Sequence, residues 1–210
     1  MDDELSSPRA CLVEGGSGDQ GPVSLSTVAA AQFFRPEVGE RLYDLLIDTV
    51  DRAITRTLGP GQPEHDDLVQ ATFEQLVVSL AGGRFRHECS LGSFAGSIAS
   101  HLALNAIRSR RRERAVFVRG REFDEDAVPA SARTERDLDS RRKLDRLRHE
   151  LAAMSPERAH ALLLHHVLGH DLKEVAALLG ISVAAAQSRV VRARHELQDR
   201  LNEAYGGDDV

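Results

Sequence analysis

The chain contains no tryptophan, and aromatic residues make up only 4% of its 210 positions. Any hydrophobic core must therefore be assembled from Leu, Val, Ile and Ala, a palette that favours helices. Cysteine is equally scarce. Cys11 and Cys89 lie far apart and in no CxxC pair, which excludes a disulfide framework and a four-cysteine zinc site. Long apolar runs are missing, so no membrane insertion is expected. The N-terminus opens on Asp2, Asp3 and Glu4 and lacks the apolar core of a signal peptide. Nucleotide loops, nucleophile elbows and metal motifs are also missing, so the expectation is a soluble, cytoplasmic protein that is not an enzyme and holds neither cofactor nor metal.

What is present is segregated charge. The net charge is −6, too acidic for a protein that simply coats DNA, but the signs are unevenly spread. Residues 1–40 carry Asp2, Asp3, Glu4, Glu14, Asp19, Glu37 and Glu40 against Arg9 and Arg35. Residues 84–121 carry Arg84, Arg86, Arg108, Arg110, Arg111, Arg112, Arg114, Arg119 and Arg121 against Glu88 and Glu113. One face suits a polyanion and another suits a basic partner.

Residues 1–35 include GGSGDQGP and read as an acidic, weakly ordered tail. Apolar residues at helical spacing predict a helix over about 38–58, ended by Gly59-Pro60-Gly61, and a second over about 65–80. On the second, Val69, Phe73, Leu76, Val77 and Leu80 form the apolar stripe, while Asp66, Asp67, Gln70 and Glu74 share another face. A loop over 81–90 precedes a third helix from near Ser90 to about 115, with Leu91, Phe94, Ile98, Leu102 and Ala106 inward. Its end is the run Arg108–Arg114, where cations suit the helix dipole. Residues 118–136 lack periodicity and read as a linker. Helices resume at about 137–152, 156–168, 172–179 and 183–203, with Ser155 as a cap before Pro156 at a first helical position and Asp171 and Glu174 placed for a capping box. Residues 205–210 form a short C-terminal tail. The fold class is thus all-α: two small helical domains, 36–117 and 137–204, joined by a flexible linker.

The segment 172–197, LKEVAALLGISVAAAQSRVVRARHEL, has the shape of a helix-turn-helix. Val175, Ala176 and Leu179 point inward, Gly180 permits the turn, Ile181 plugs the junction and Ser182 caps the longer helix. That helix buries Ala186, Val190 and Ala193. It turns outward Ala184, Ala185, Gln187, Ser188, Arg189, Arg192 and Arg194. Small residues at its start would let it sink into the major groove, with Gln187, Ser188 and Arg189 near base edges or phosphates and Arg192 and Arg194 on phosphates. A plain antiparallel helix pair with a solvated basic face is the competing reading.

These residues carry a resemblance. Gly180-Ile181-Ser182, Ser188-Arg189 and Arg192-Ala193-Arg194 are similar to the promoter-binding end of extracytoplasmic-function sigma factors of the sigma-70 family, with Ala185-Ala186-Gln187 where Thr-Val-Lys is usual. Independently, His65-Asp66-Asp67-Leu68-Val69-Gln70-Ala71-Thr72-Phe73 resembles that family's AEDLVQEVF, and 91–114 resembles its promoter-melting helix, with Phe94, His101 and Asn105 replacing the usual Trp, Asn and Asp. The resemblance implies a region 2 bundle followed by a region 4 helix-turn-helix. It implies that Asp66, Asp67, Gln70, Phe73 and Glu74 meet core RNA polymerase at the clamp helices of its largest subunit. It assigns the −10 element to Arg84, Phe85, Arg86, Ser97, His101, Asn105, Arg108, Arg111 and Arg112, and the −35 element to the outward residues of the last helix. The polymerase flap, promoter DNA and an anti-sigma factor are the implied partners.

Phe94 stands at the aromatic position of the melting segment, yet its periodicity puts it on the buried stripe. Ser97, His101 and Asn105 are read as the exposed side of that helix. Phe85, flanked by cations, would either capture an unstacked base or plug the core beneath the loop. His165, His166 and His170, like His87, Cys89 and His101, offer too few ligands for a metal. Glu122, Asp124, Glu125 and Asp126 form a solvated charge run. The alternative function is a helix-turn-helix regulator that acts without stable polymerase binding.

Overall fold

The computed structural model describes residues 36–117 and 135–205, and every regular element in them is helical. The tail expected over 1–35, the linker expected over 118–136 apart from its last two positions, and residues 206–210 lie outside the described residues. The helices are α1 (Pro36–Leu58), α2 (His65–Ala81), α3 (Leu91–Phe117), α4 (Glu135–Ala153), α5 (Pro156–Leu162), α6 (Leu172–Leu179) and α7 (Val183–Tyr205). A π-helical turn, Leu163–Val167, continues α5. The last two linker positions therefore belong to α4.

Helix ends follow local chemistry. Ser90 starts α3 by accepting a bond from the Ser93 backbone N–H at 2.9 Å. Asp171 caps α6 by accepting from the N–H groups of Lys173 and Glu174, both at 2.8 Å. These two bonds hold the Asp171 carboxyl below its ordinary value, the Glu174 bond first. The expected capping box is only half made, because the Glu174 carboxylate accepts from the His170 ring at 3.2 Å. Ser155 occupies the position before Pro156 with extended backbone and makes no side-chain cap bond.

Between α6 and α7, Gly180 adopts φ 63° and ψ 38°. The Ile181 N–H returns to the Ala176 carbonyl and the Gly180 N–H to the Ala177 carbonyl, which is a Schellman closure. Ser182 Oγ then accepts from the Ala185 N–H at 3.2 Å, and the two helices cross at a 101° bend. That angle falls in the range of DNA-binding helix-turn-helix pairs.

α1 packs chiefly on α3, with α2 against both, around Val50, Ile54, Leu76, Phe94, Ile98 and Leu104. α5 and α6 pack on α7 around Ala159, Leu163, Leu164, Val175, Leu178 and Ala186. The two groups of helices also meet, through α3 against α4 and α5 and through α1 against the π turn, and one continuous core cluster runs across the seam. Arginines stitch it reciprocally. Arg148 Nε donates to the Thr57 carbonyl at 3.1 Å, Arg56 to the Val167 carbonyl at 3.4 Å, and Arg108 to the carbonyls of Ala152 at 3.3 Å and Met154 at 3.4 Å. Thr57, Ala152 and Val167 sit at helix ends, where unpaired carbonyls favour a cation. Gly59, at φ 97°, leaves room for Arg148, because a Cβ there would lie 3.1 Å from the guanidinium carbon.

Gly59 and Gly180 both hold left-handed backbone, which costs an L-residue about 1–2 kcal/mol. Gly59→Ala and Gly180→Ala should each lower unfolding stability by that order, read as a shift in urea midpoint at unchanged slope.

Candidate nucleic-acid and protein interfaces

Three surfaces hold the residues singled out from the sequence. The first is on α2. Asp66, Asp67, Gln70 and Glu74 are exposed, as their spacing requires, and Gln70 donates to Glu74 at 2.9 Å. The apolar stripe is narrower than expected: Leu76 is buried together with Thr72 and Ser79, while Val69, Phe73, Val77 and Leu80 are half-buried. Phe73 stacks on Tyr43 of α1 with ring centroids 4.9 Å apart. A groove of about 470 Å³ opens there, lined by Tyr43, Ile47, Val69 and Phe73 and edged by Asp51, Asp66 and Glu74. His65 closes one end, its Nε2 3.0 Å from Asp51. Tyr43 is 46% exposed and Leu45, on the same helix, 70%. An apolar groove with an acidic rim suits a basic, partly apolar protein helix. The α1 side of this groove, Tyr43 and Ile47, was not identified from the sequence; an aromatic at helical spacing looks the same whether it faces a core or a partner.

The second surface is α3 with its preceding loop. Phe94 is buried, as its periodicity indicates. Arg84 and Arg86 are exposed, but Phe85 between them packs on Phe94 at 5.2 Å and on His87 at 4.5 Å, which is the plugging arrangement. Asn105 and Arg112 are exposed and Arg111 half-exposed. Two expectations are corrected. Ser97 and His101, expected on the exposed side, face the second helical group: Ser97 is 2% exposed and His101 stacks on His160 of α5 at 5.1 Å. The reason is that α5 packs on α3 beside its apolar stripe, so the flank that carries Ser97 and His101 is covered as well. Arg108 is half-buried and engaged on the Ala152 and Met154 carbonyls, and burial pulls its guanidinium below the usual range.

Within the arginine run, Arg110 has a role of its own. It makes a two-pronged contact with the Glu64 carboxylate and donates to Gln62 at 2.8 Å, closing the α1–α2 loop onto α3. Arg111 and Arg114 face a cleft of about 200 Å³ shared with Arg148 and His149 of α4. Burial first, and then Arg111, lower the His149 pKa.

The third surface is α7. Ala186, Val190 and Ala193 are buried, and Ala184, Gln187, Arg192 and Arg194 are exposed, as expected; Ala185, Ser188 and Arg189 are half-buried at the edge. Val183 and Val191, exposed by 45% and 48%, share the outer face with Gln187 and Arg194. Both were missed from the sequence because Val counts as a core residue in a periodicity argument. Methyl groups on such a helix are chemically suited to the thymine methyl in a major groove. Among the described residues no His, Cys, Asp or Glu group is arranged to hold a metal, and no single helix is long and apolar enough to cross a membrane.

Residues 42–113 match "Sigma-70 region 2" and residues 144–197 match "Sigma-70, region 4". The chain is 33% identical over 138 residues to "RNA polymerase sigma factor CarQ" of Myxococcus xanthus, covering 66% of this chain and 75% of that protein. It is 31% identical over 159 residues to "ECF RNA polymerase sigma factor SigE" of Mycolicibacterium smegmatis, covering 73% of this chain and 58% of that protein. A solved structure of the sigma factor RpoE in complex with the anti-sigma factor NepR from Bartonella quintana aligns with TM-score 0.47 and 22% identity, over 78% of this chain and 98% of that one.

The Glu64–Arg110 contact has a pH signature. Arg110 holds the Glu64 carboxyl below its ordinary 4.5, so the stabilisation is present above that value and is lost as pH falls through the lowered one. Arg110→Ala should cost about 1 kcal/mol at neutral pH, given that the pair is part-exposed. Chemical denaturation of both proteins at neutral and acid pH checks this: the difference should close on acidification.

Proposed function

The chain belongs to the extracytoplasmic-function group of sigma-70 family sigma factors, which act in transcription initiation, and from that premise we propose how its surfaces divide the work. The acidic, apolar-lined groove between α1 and α2 binds core RNA polymerase at the clamp helices, through Asp66, Asp67, Gln70, Phe73 and Glu74. The exposed face of α7 binds the −35 element. The loop 84–86 and the outward part of α3, with Asn105, Arg111 and Arg112, meet the −10 element and hold it open; Ser97, His101 and Arg108 join them once uncovered. The polymerase flap and an anti-sigma factor complete the partners. The observation that carries this reading is the placement of an acidic groove on α2 and a basic α3 within one small helical unit, next to a helix-turn-helix whose outer face is solvent-exposed. Two DNA-binding surfaces on one chain then add through effective concentration.

Transcription from duplex promoters by core polymerase plus this protein, with the transcripts sequenced, tests the whole reading; no promoter-specific transcript would refute it. Asp67→Arg should reduce retention of core polymerase while leaving the unfolding midpoint unchanged, since the residue is exposed. Equal retention would remove α2 from the docking surface.

Arg192→Ala with Arg194→Ala should weaken binding to upstream promoter DNA. It should also flatten the salt dependence, by about one unit of slope for each phosphate left without its arginine. Titrations at several salt concentrations read both effects.

A further inference from the structure

Seven consecutive residues of α3, Phe94 through Ser100, are buried, which a helix facing one partner cannot achieve. Phe94 and Ile98 belong to the core of their own unit, whereas Ser97 and Ser100 receive His160 of α5, itself 1% exposed. His160 Nε2 lies 3.2 Å from the Ser97 carbonyl, 3.3 Å from Ser100 Oγ and 3.5 Å from Ser97 Oγ. The Ser100 hydroxyl donates to the Ser97 carbonyl at 3.0 Å. With a carbonyl as its nearest partner, Nε2 carries the proton and donates. Nδ1 of the same ring is buried with no hydrogen-bond partner, and so is Nδ1 of His101.

The ionisable groups that act on this ring are all bases. From α3 they are His101 and Arg108, and from the turn before α6 it is His170, whose ring meets Glu174 at 3.2 Å. Glu157, on the first turn of α5, acts on Arg108 and is not among the groups that act on His160. A second proton on His160 would thus find no acceptor and would face the Arg108 guanidinium. Burial first, and then His101, push its pKa from 6.5 down to about 3. His101 is lowered too, by burial and then by Arg108.

We propose that the α3–α5 seam is a proton-sensitive latch: while His101 and His160 are neutral the chain stays closed with part of the α3 face covered, and protonation of the pair releases the α4–α7 unit. The consequence for promoter opening rests on the reading of α3 given above, whereas the latch itself does not. The sign is fixed by the direction of the shift. Closure is complete above the released histidine's 6.5 and weakens below it, by about tenfold per pH unit for His160 alone.

Small-angle X-ray scattering of the full chain, with circular dichroism on the same samples, tests the latch. Going from about pH 8 to about pH 5.5, the wild type should expand at constant helix content, with an open-to-closed ratio raised about tenfold. His160→Gln and His160→Leu, which leave His101 as the only titrating member of the pair, should expand less than the wild type on acidification. An unchanged wild-type radius overturns the proposal, as does equal acid expansion in both variants, or expansion accompanied by loss of helix. Both variants being open at about pH 8 also overturns it, since ring shape rather than charge would then hold the seam. A labelled single-stranded −10 oligonucleotide provides the second arm. Tighter binding by the wild type on acidification, beyond any change in His160→Gln, supports latch and promoter reading together. Acid opening without that gain leaves the latch standing and refutes the DNA role of the covered α3 face.

Discussion

Where α5 meets α3, a neutral imidazole rests on a serine carbonyl and two serine hydroxyls, and on the proposed reading the arrangement of the two helical units turns on that contact. Around it the seam is apolar, with Leu151, Ala152, Met154, Ala159 and Leu162 belonging to the same continuous core as Ile98 and Leu104. Its polar stitches are weaker. The arginine-to-carbonyl bonds that cross it measure 3.1–3.4 Å, at the long end for N–H donors. Each such bond has a modest net value, because the same guanidinium in water would be fully hydrated. A seam built this way is held by apolar burial and tolerates no added charge. On the proposed reading, protonation of the buried histidines moves its equilibrium, while each unit keeps its own core.

The same economy governs the cations of α3. Arg110 is engaged on Glu64 and Gln62 and serves the fold. Arg108 caps the end of α4 through two backbone carbonyls. Arg112 is exposed, and Arg111 faces the cleft beside His149. A run that looks uniform in the sequence is thus divided by helical phase into a structural member, a seam member and members open to a polyanion. Since successive residues turn by about 100°, neighbours in such a run cannot share one partner.

The helices, the caps at Ser90, Asp171 and Ser182 and the turn at Gly180 were legible in the sequence because they are decided locally, by periodicity, by a side-chain oxygen before a helix and by a glycine after one; Ser155 makes no cap bond. The π turn at 163–167 and the half-made capping box were not, because both depend on where His165 and His170 go: His165 Nδ1 donates to the His170 carbonyl at 2.8 Å and Glu174 is drawn to the His170 ring. The covered face of α3 was the main misreading. Ser97 and His101 are polar and flank the apolar stripe, and polar residues at that edge of an isolated helix meet solvent. The signal that points the other way is size: Gly92, Gly96, Ser97, Ala99, Ser100 and Ala103 line nearly half the circumference of α3 with small residues, allowing neighbouring helices to approach. The exposure of Asp66, Asp67, Gln70 and Glu74 on α2 was legible because no neighbouring helix covers that face.

Coverage differs between the two surfaces assigned to DNA. On α7, Ala184, Gln187, Val191, Arg192 and Arg194 are exposed while the seam is closed. On α3, Asn105 and Arg112 are exposed, but Ser97, His101 and Arg108 are occupied. On the proposed reading, the closed chain presents its upstream-binding helix intact and its melting helix only in part. Binding duplex DNA through α7 requires no rearrangement, whereas strand opening through α3 requires the imidazole to leave its serines and Arg108 to exchange two carbonyls for phosphates. On that reading the free energy of the exchange is supplied by the proposed partners, polymerase and promoter, through their differential affinity for the open state.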